Sequence, residues 1–166
     1  MLRILLSVFG TAATFNDLYC MKDILVNSFK TEQDIVTLVD GFRGRTLPVA
    51  QWTHEAHLVT GLWFSYNYTE HEAICFLRSG IISYNISSGG ENTPERGYHE
   101  TLTLFWCRIL EDFVRKNATL TLIELCKNFL NSEWSSRELP FRYYTREVLF
   151  STKARAIWVQ PNLKML

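Results

Sequence analysis

The chain has 166 residues, 47% of them hydrophobic and 14% aromatic, and its 17 basic residues balance its 17 acidic ones. That length fits one domain with a core of its own. Zero net charge speaks against nucleic acid as a partner, because a phosphate-binding surface needs an excess or a stripe of Lys and Arg.

At the N-terminus, Met1–Phe15 carries one early Arg and an apolar run too short to span a bilayer. Its outline is that of a signal peptide, but Gly10 and Thr11 break the run. Residues 1–30 therefore read as an extension, either a loosely packed helix or the product of a start placed too far upstream. The four cysteines, Cys20, Cys75, Cys107 and Cys126, are scattered and form no C-x-x-C pair. That spacing suits reduced, buried thiols in the cytoplasm better than a disulfide framework after export. No membrane partner is expected.

From residue 31 onwards the spacing of apolar residues is helical. Thr31 is a natural N-cap for a helix carrying Ile35, Leu38, Val39 and Phe42, closed by Pro48. A second helix is predicted from about Ala50 to Tyr66. Thr69 with Glu72 forms a capping box for a third, with Ile74, Leu77 and Ile81 on its inner face and Arg78 at the edge. A Ser/Gly loop from Ile86 to Asn92 follows, and Thr93-Pro94 is predicted to open a long helix reaching Lys116. Thr121 with Glu124 caps another. Beyond Pro140 the tail suits short helical pieces, with Ser151 capping the last and Pro161 beyond it. The expected fold is all-α, a single-domain helical bundle over residues 31–166 with a short-helix C-terminal tail.

Chemistry concentrates in two segments. WTHEAHL places His54 and His57 three residues apart, on the side of the second helix opposite Trp52, Ala56, Val59, Trp63 and Tyr66. This helix is almost free of charge, so both its faces should be covered and the two imidazoles should face something. GYHET, with Tyr98, His99, Glu100 and Thr101, lies in another charge-poor stretch. Three readings stay open. His54, His57 and His99 could bind a divalent metal such as Zn, Fe or Mn, with Glu100 as a further ligand or as the general base. The same groups could form a metal-free acid/base cluster. Or they could be core histidines that satisfy neighbouring backbone. Tyr98 and Thr101 would support the site from behind, and Arg142 and Tyr144 from the tail could close over a ligand. His71 and Glu72 read as surface, and the Gly89-Gly90 loop as a connection or a lid.

The stretches WTHEAHL, NTPERGYHET and RYYTREVLFSTKARAIWV also resemble an uncharacterised family of small bacterial proteins. Its pattern runs W-T-H-x-x-H-L, N-T, G-Y-H-E-T and R-Y-[ST]-R-E-x-L-x-S-x-x-A-R. The resemblance covers about Leu47 to Leu163; it implies a bacterial origin and a common site around His54, His57, His99 and Glu100, and says nothing of substrate. Together these readings predict a metal-binding protein or small metal-dependent enzyme acting on a small molecule, in a chain that could form a homo-oligomer. The alternative is a non-catalytic helical module that binds a small ligand or a partner helix, with structural histidines.

Overall fold

The structure, a computed structural model, describes residues 29–166. The expected N-terminal extension, with Cys20 and the signal-like run, lies outside the described residues except for its last two. The helices are α1 (Glu32–Arg43), α2 (His54–Asn67), α3 (Glu70–Ser87), α4 (Glu100–Lys116), α5 (Leu122–Asn131), α6 (Arg146–Leu149) and α7 (Thr152–Ala156). Short 3-10 turns stand at Val49–Gln51, Glu133–Ser135 and Leu139–Arg142. No strand occurs among the described residues, and the all-α expectation holds.

Local chemistry sets the helix starts. Thr31, Thr69 and Thr121 each form a capping box, with Asp34, Glu72 and Glu124 respectively. Ile35, Leu38, Val39 and Phe42 are the buried face of α1, as their spacing predicts. In α3 it is Ala73, Leu77 and Tyr84 that are buried, while Ile74 and Ile81 pack at the margin of the core.

Two predicted starts move. α2 begins at His54 rather than Ala50, because Val49–Gln51 forms a single 3-10 turn and Trp52 leaves the helical region at φ −80, ψ 59. Trp52 lies between Phe42 and His57, at ring-centroid distances of 4.7 and 3.8 Å. Thr53 then caps α2 by accepting from the Ala56 amide at 3.2 Å. The long helix begins at Glu100 rather than Pro94. The Thr93 hydroxyl accepts from the amides of Glu95 and Arg96, each at 3.2 Å, and so closes a local turn instead of starting a helix. Gly97 follows with φ 81, where a Cβ would stand 2.0 Å from the Glu91 carbonyl oxygen, so only glycine fits. The N-cap of α4 is His99 itself.

α2 is the central helix and packs against α1, α3, α4 and α5. Ala56, Leu58, Val59, Thr60, Leu62 and Phe64 on its several sides are all buried, so the covering expected from its lack of charge is found. Of the stripe expected to face the core, Trp63 is half-buried and Tyr66 is exposed. α4 separates two apolar clusters. On one side lies the core of α1, α2, α3 and α5; on the other, Phe105 meets Leu139, Tyr143, Tyr144 and Leu149 of the tail. Trp106 and Ile109 belong to both. Cys107 and Cys126 are buried free thiols, as expected, whereas Cys75 is exposed; burial pushes the first two up to about 12. Among the described residues no helix is long and apolar enough to cross a membrane.

α2 and α4 approach each other closely at Gly61. A Cβ on Gly61 would stand 2.4 Å from Leu110 Cδ1, and Leu110 is itself buried. Gly61→Val adds three carbons where there is room for none, with no gain in helix propensity large enough to compensate. Overpacking of this kind should lower unfolding stability by about 1–3 kcal/mol, read as a lower urea midpoint at unchanged slope.

Candidate functional site

The histidines are positioned by the first turns of two helices, and each directs at least one ring nitrogen at backbone. His54, at the start of α2, bonds through Nε2 to the Ser135 carbonyl at 2.9 Å, and its ring meets the edge of Trp106 at 5.3 Å. His57, one turn further on, bonds through Nδ1 to the Thr53 carbonyl at 2.6 Å. A carbonyl only accepts, so each of these nitrogens carries the proton. His99 uses both nitrogens. Nε2 donates to the Leu149 carbonyl at 2.9 Å, and Nδ1 accepts from the Leu102 amide at 3.2 Å as the cap of α4.

This arrangement departs from the convergent metal set expected of His54, His57 and His99. Among the described residues no three His, Cys, Asp or Glu side chains come together as a group able to hold a metal ion. The reason is geometric. His99 is not on a face of a helix begun at Pro94 but at the helix end, where its ring folds back on the helix and reaches the tail. Glu100 turns away from all three histidines' partners and pairs with Arg78 of α3. The Arg78 guanidinium meets both carboxylate oxygens, through Nε at 3.1 Å and through Nη2, and the Tyr98 hydroxyl donates to Oε2 at 2.6 Å.

Other expected site residues are placed elsewhere. Thr101 is fully buried; its hydroxyl donates to the Ile157 carbonyl at 2.7 Å and accepts from the Val159 amide at 3.1 Å. The buried Tyr144 donates to the Val159 carbonyl at 2.9 Å. Arg142 is exposed and pairs with Glu133 at 2.6 Å. The bonds of all three are made to the tail. His71 is on the surface and Glu72 is a cap, as expected.

What the structure does bring together is a cleft of about 560 Å³ between α3, the loop leading into α4, and α7. Arg78 and Ile82 form one wall, Pro94 and Tyr98 another, and Arg155 and Ala156 a third, with Glu100 also in the lining. The loop wall is pinned by Asn92, whose side chain donates to the Ile82 carbonyl at 3.0 Å and accepts from the Asn85 side chain and the Tyr98 amide, each at 2.9 Å. Arg155 reaches across from α7 and donates through Nη1 to the carbonyls of Gly97 and Tyr98, at 3.1 and 3.0 Å. Ile82, Asn92 and Arg155 were not expected from the sequence. The usable signals were small: Asn92 in an Asn-Thr-Pro turn, and the Ala154-Arg155 step quoted in the resemblance.

Titration follows from burial. Loss of solvent pulls His57 down to about 4 and lowers His54 and His99 as well, so all three are neutral at pH 7. Burial raises Glu100, but the bonds from Arg78 and Tyr98 outweigh it and the net direction is down. Burial raises Tyr98, and its bond to Glu100 adds to that.

No family model matches the chain, and neither does any curated protein or solved structure.

The histidines make stability depend on pH in a defined direction. Free imidazole in the unfolded chain titrates near 6.5. Below that, the unfolded chain binds protons that the fold refuses, so stability is full above about pH 6.5 and falls as pH drops toward 4. For His57 alone the loss should be on the order of 2–3 kcal/mol, read by urea unfolding at pH 7 and pH 4.5. His57→Phe should show a shallower fall over the same window.

Proposed function

We propose that the protein is a helical module that binds a small molecule in the cleft between α3, the Asn92–Tyr98 loop and α7, and that its histidines are structural. The single observation that carries this reading is how polar groups are distributed. Arg78, Arg155, Glu100 and Tyr98 line one cleft together with Ile82, Pro94 and Ala156, whereas His54, His57 and His99 each give a ring nitrogen to a main-chain carbonyl. A volume of about 560 Å³ is in the usual range for small-molecule sites, and a few fixed polar groups among apolar walls is their usual composition. A second depression, near Trp134, has only about 80 Å³.

The same geometry favours binding over catalysis. Glu100 is stabilised as a carboxylate by two donors, which makes it a weak base, and the raised Tyr98 is a weak acid. Of the three rings only His99 has both nitrogens engaged, so a metal centre that included it would break the bond from the Leu102 amide or the one to the Leu149 carbonyl, at a cost of about 1–3 kcal/mol. On this reading chelator leaves the melting temperature unchanged, since no native-state metal is removed. A drop of several degrees in chelator, reversed by Zn, Fe or Mn, would restore the metal reading.

The cleft itself is tested with 1-naphthoate as a probe of suitable size, followed by amide shifts in the 166-residue chain. Saturable shifts should map to Arg78–Ile82, Asn92–Glu100 and Thr152–Ala156, and Ile82→Trp, which fills the cleft, should abolish them. Shifts scattered over the surface, or saturable binding that survives Ile82→Trp, would defeat the reading.

A further inference from the structure

We infer that the ligand of this cleft is an organic monoanion, an apolar body carrying one carboxylate, and that Arg155 grips the carboxylate. The inference rests on the cleft being the binding site and adds the chemical class of what enters it. Two guanidinium groups and one carboxylate line the cleft, so at neutral pH it carries one net positive charge. Arg78 is not the source of that charge, because Glu100 already meets it with both oxygens. Arg155 is. Among the described residues no carboxylate forms an ion pair with it. Partial burial lowers its affinity for its proton, with only the field of Glu95 acting the other way.

A guanidinium offers five N–H donors in a planar fork. The two carbonyls of Gly97 and Tyr98 are both bound by Nη1, which fixes the plane of the group at the cleft wall and leaves Nε and Nη2 without a partner in the chain among the described residues. That unused edge is the one that meets a carboxylate with two parallel bonds. Neutral carbonyls orient a cation without cancelling it, so the site is both preorganised and attractive to an anion. Ile82, Pro94 and Ala156 supply the apolar surface for the rest of the molecule. Glu100 sets an upper limit on ligand charge, since its carboxylate lines the same cleft and repels a second negative group.

The test compares three probes of one shape by calorimetric titration of the full chain: 1-naphthoate, 1-naphthyl phosphate and the neutral 1-naphthalenemethanol. Naphthoate should bind roughly tenfold more tightly than the alcohol, as expected for one charge-assisted bidentate contact in a partly solvated site. The phosphate should bind no more tightly than naphthoate. Arg155→Gln should bring naphthoate down to the level of the alcohol while the alcohol is unchanged. Glu100→Gln should raise naphthoate affinity about threefold or more, because it frees the charge of Arg78, and a residue of purely structural value would not give a gain. If both probes weaken in Arg155→Gln because the loop is released, the Glu100→Gln arm decides, and no gain there overturns the inference. Equal binding of naphthoate and alcohol, both lost in Ile82→Trp, would overturn the monoanion and leave the cleft standing. Tighter binding of the phosphate would overturn the single charge. Absence of any saturable binding would remove the cleft and the inference together.

Discussion

The C-terminal tail is made of short 3-10 and α-helical turns, whose ends leave backbone groups open, and side chains of the bundle meet several of them. His54 takes the Ser135 carbonyl, His99 takes that of Leu149, and Thr101 serves both the Ile157 carbonyl and the Val159 amide. Buried carbonyls and amides need partners, and each one left open costs more than the bond itself contributes. Donors of the right reach are therefore a condition for the tail to pack at all. Imidazole is suited to this role because, once neutral, it carries one donor and one acceptor on a rigid ring. His99 uses both, one for the tail and one for the first turn of its own helix.

That constraint also builds the cleft. Four consecutive residues around the start of α4 divide the work: Tyr98 forms a wall, His99 holds α6, Glu100 fixes Arg78, and Thr101 ties down the chain after α7. Arg155 closes the circuit from the other side by binding the Gly97 and Tyr98 carbonyls. The cleft is thus lined by segments that are each anchored within a residue or two of the surface they present. For the small-molecule reading proposed above, such anchoring would mean little change of shape on binding and little ordering entropy to offset.

Much of the fold was legible because its signals are local. Capping boxes at Thr31, Thr69 and Thr121 mark three helix starts, and the period of apolar residues gives the inner face of α1, though in α3 it finds Leu77 and misses Ala73 and Tyr84. The scarcity of charge along α2 marks a helix covered on most sides, with Tyr66 left exposed. The start of α4 was misplaced because Thr93 is equally able to cap a helix or to close a turn on itself, and a glycine with φ 81 four residues later decides for the turn. The candidate site is less legible. The polar side chains of WTHEAHL and GYHET are partly or fully buried, but sequence spacing cannot say whether an imidazole faces another imidazole or a carbonyl 81 residues away. Arg155 was beyond reach for the same reason, since its partners are contributed by a loop nearly sixty residues earlier.

One helix also decides how the chain can be divided. Because α4 carries a core on each flank, with Trp106 and Ile109 common to both, no cut between bundle and tail spares a large apolar surface from water. The tail is short and irregular enough to look dispensable, yet trimming it would strip Phe105 and half of α4 bare. Among the described residues, bundle and tail therefore form one packed unit that extends at least to Val159.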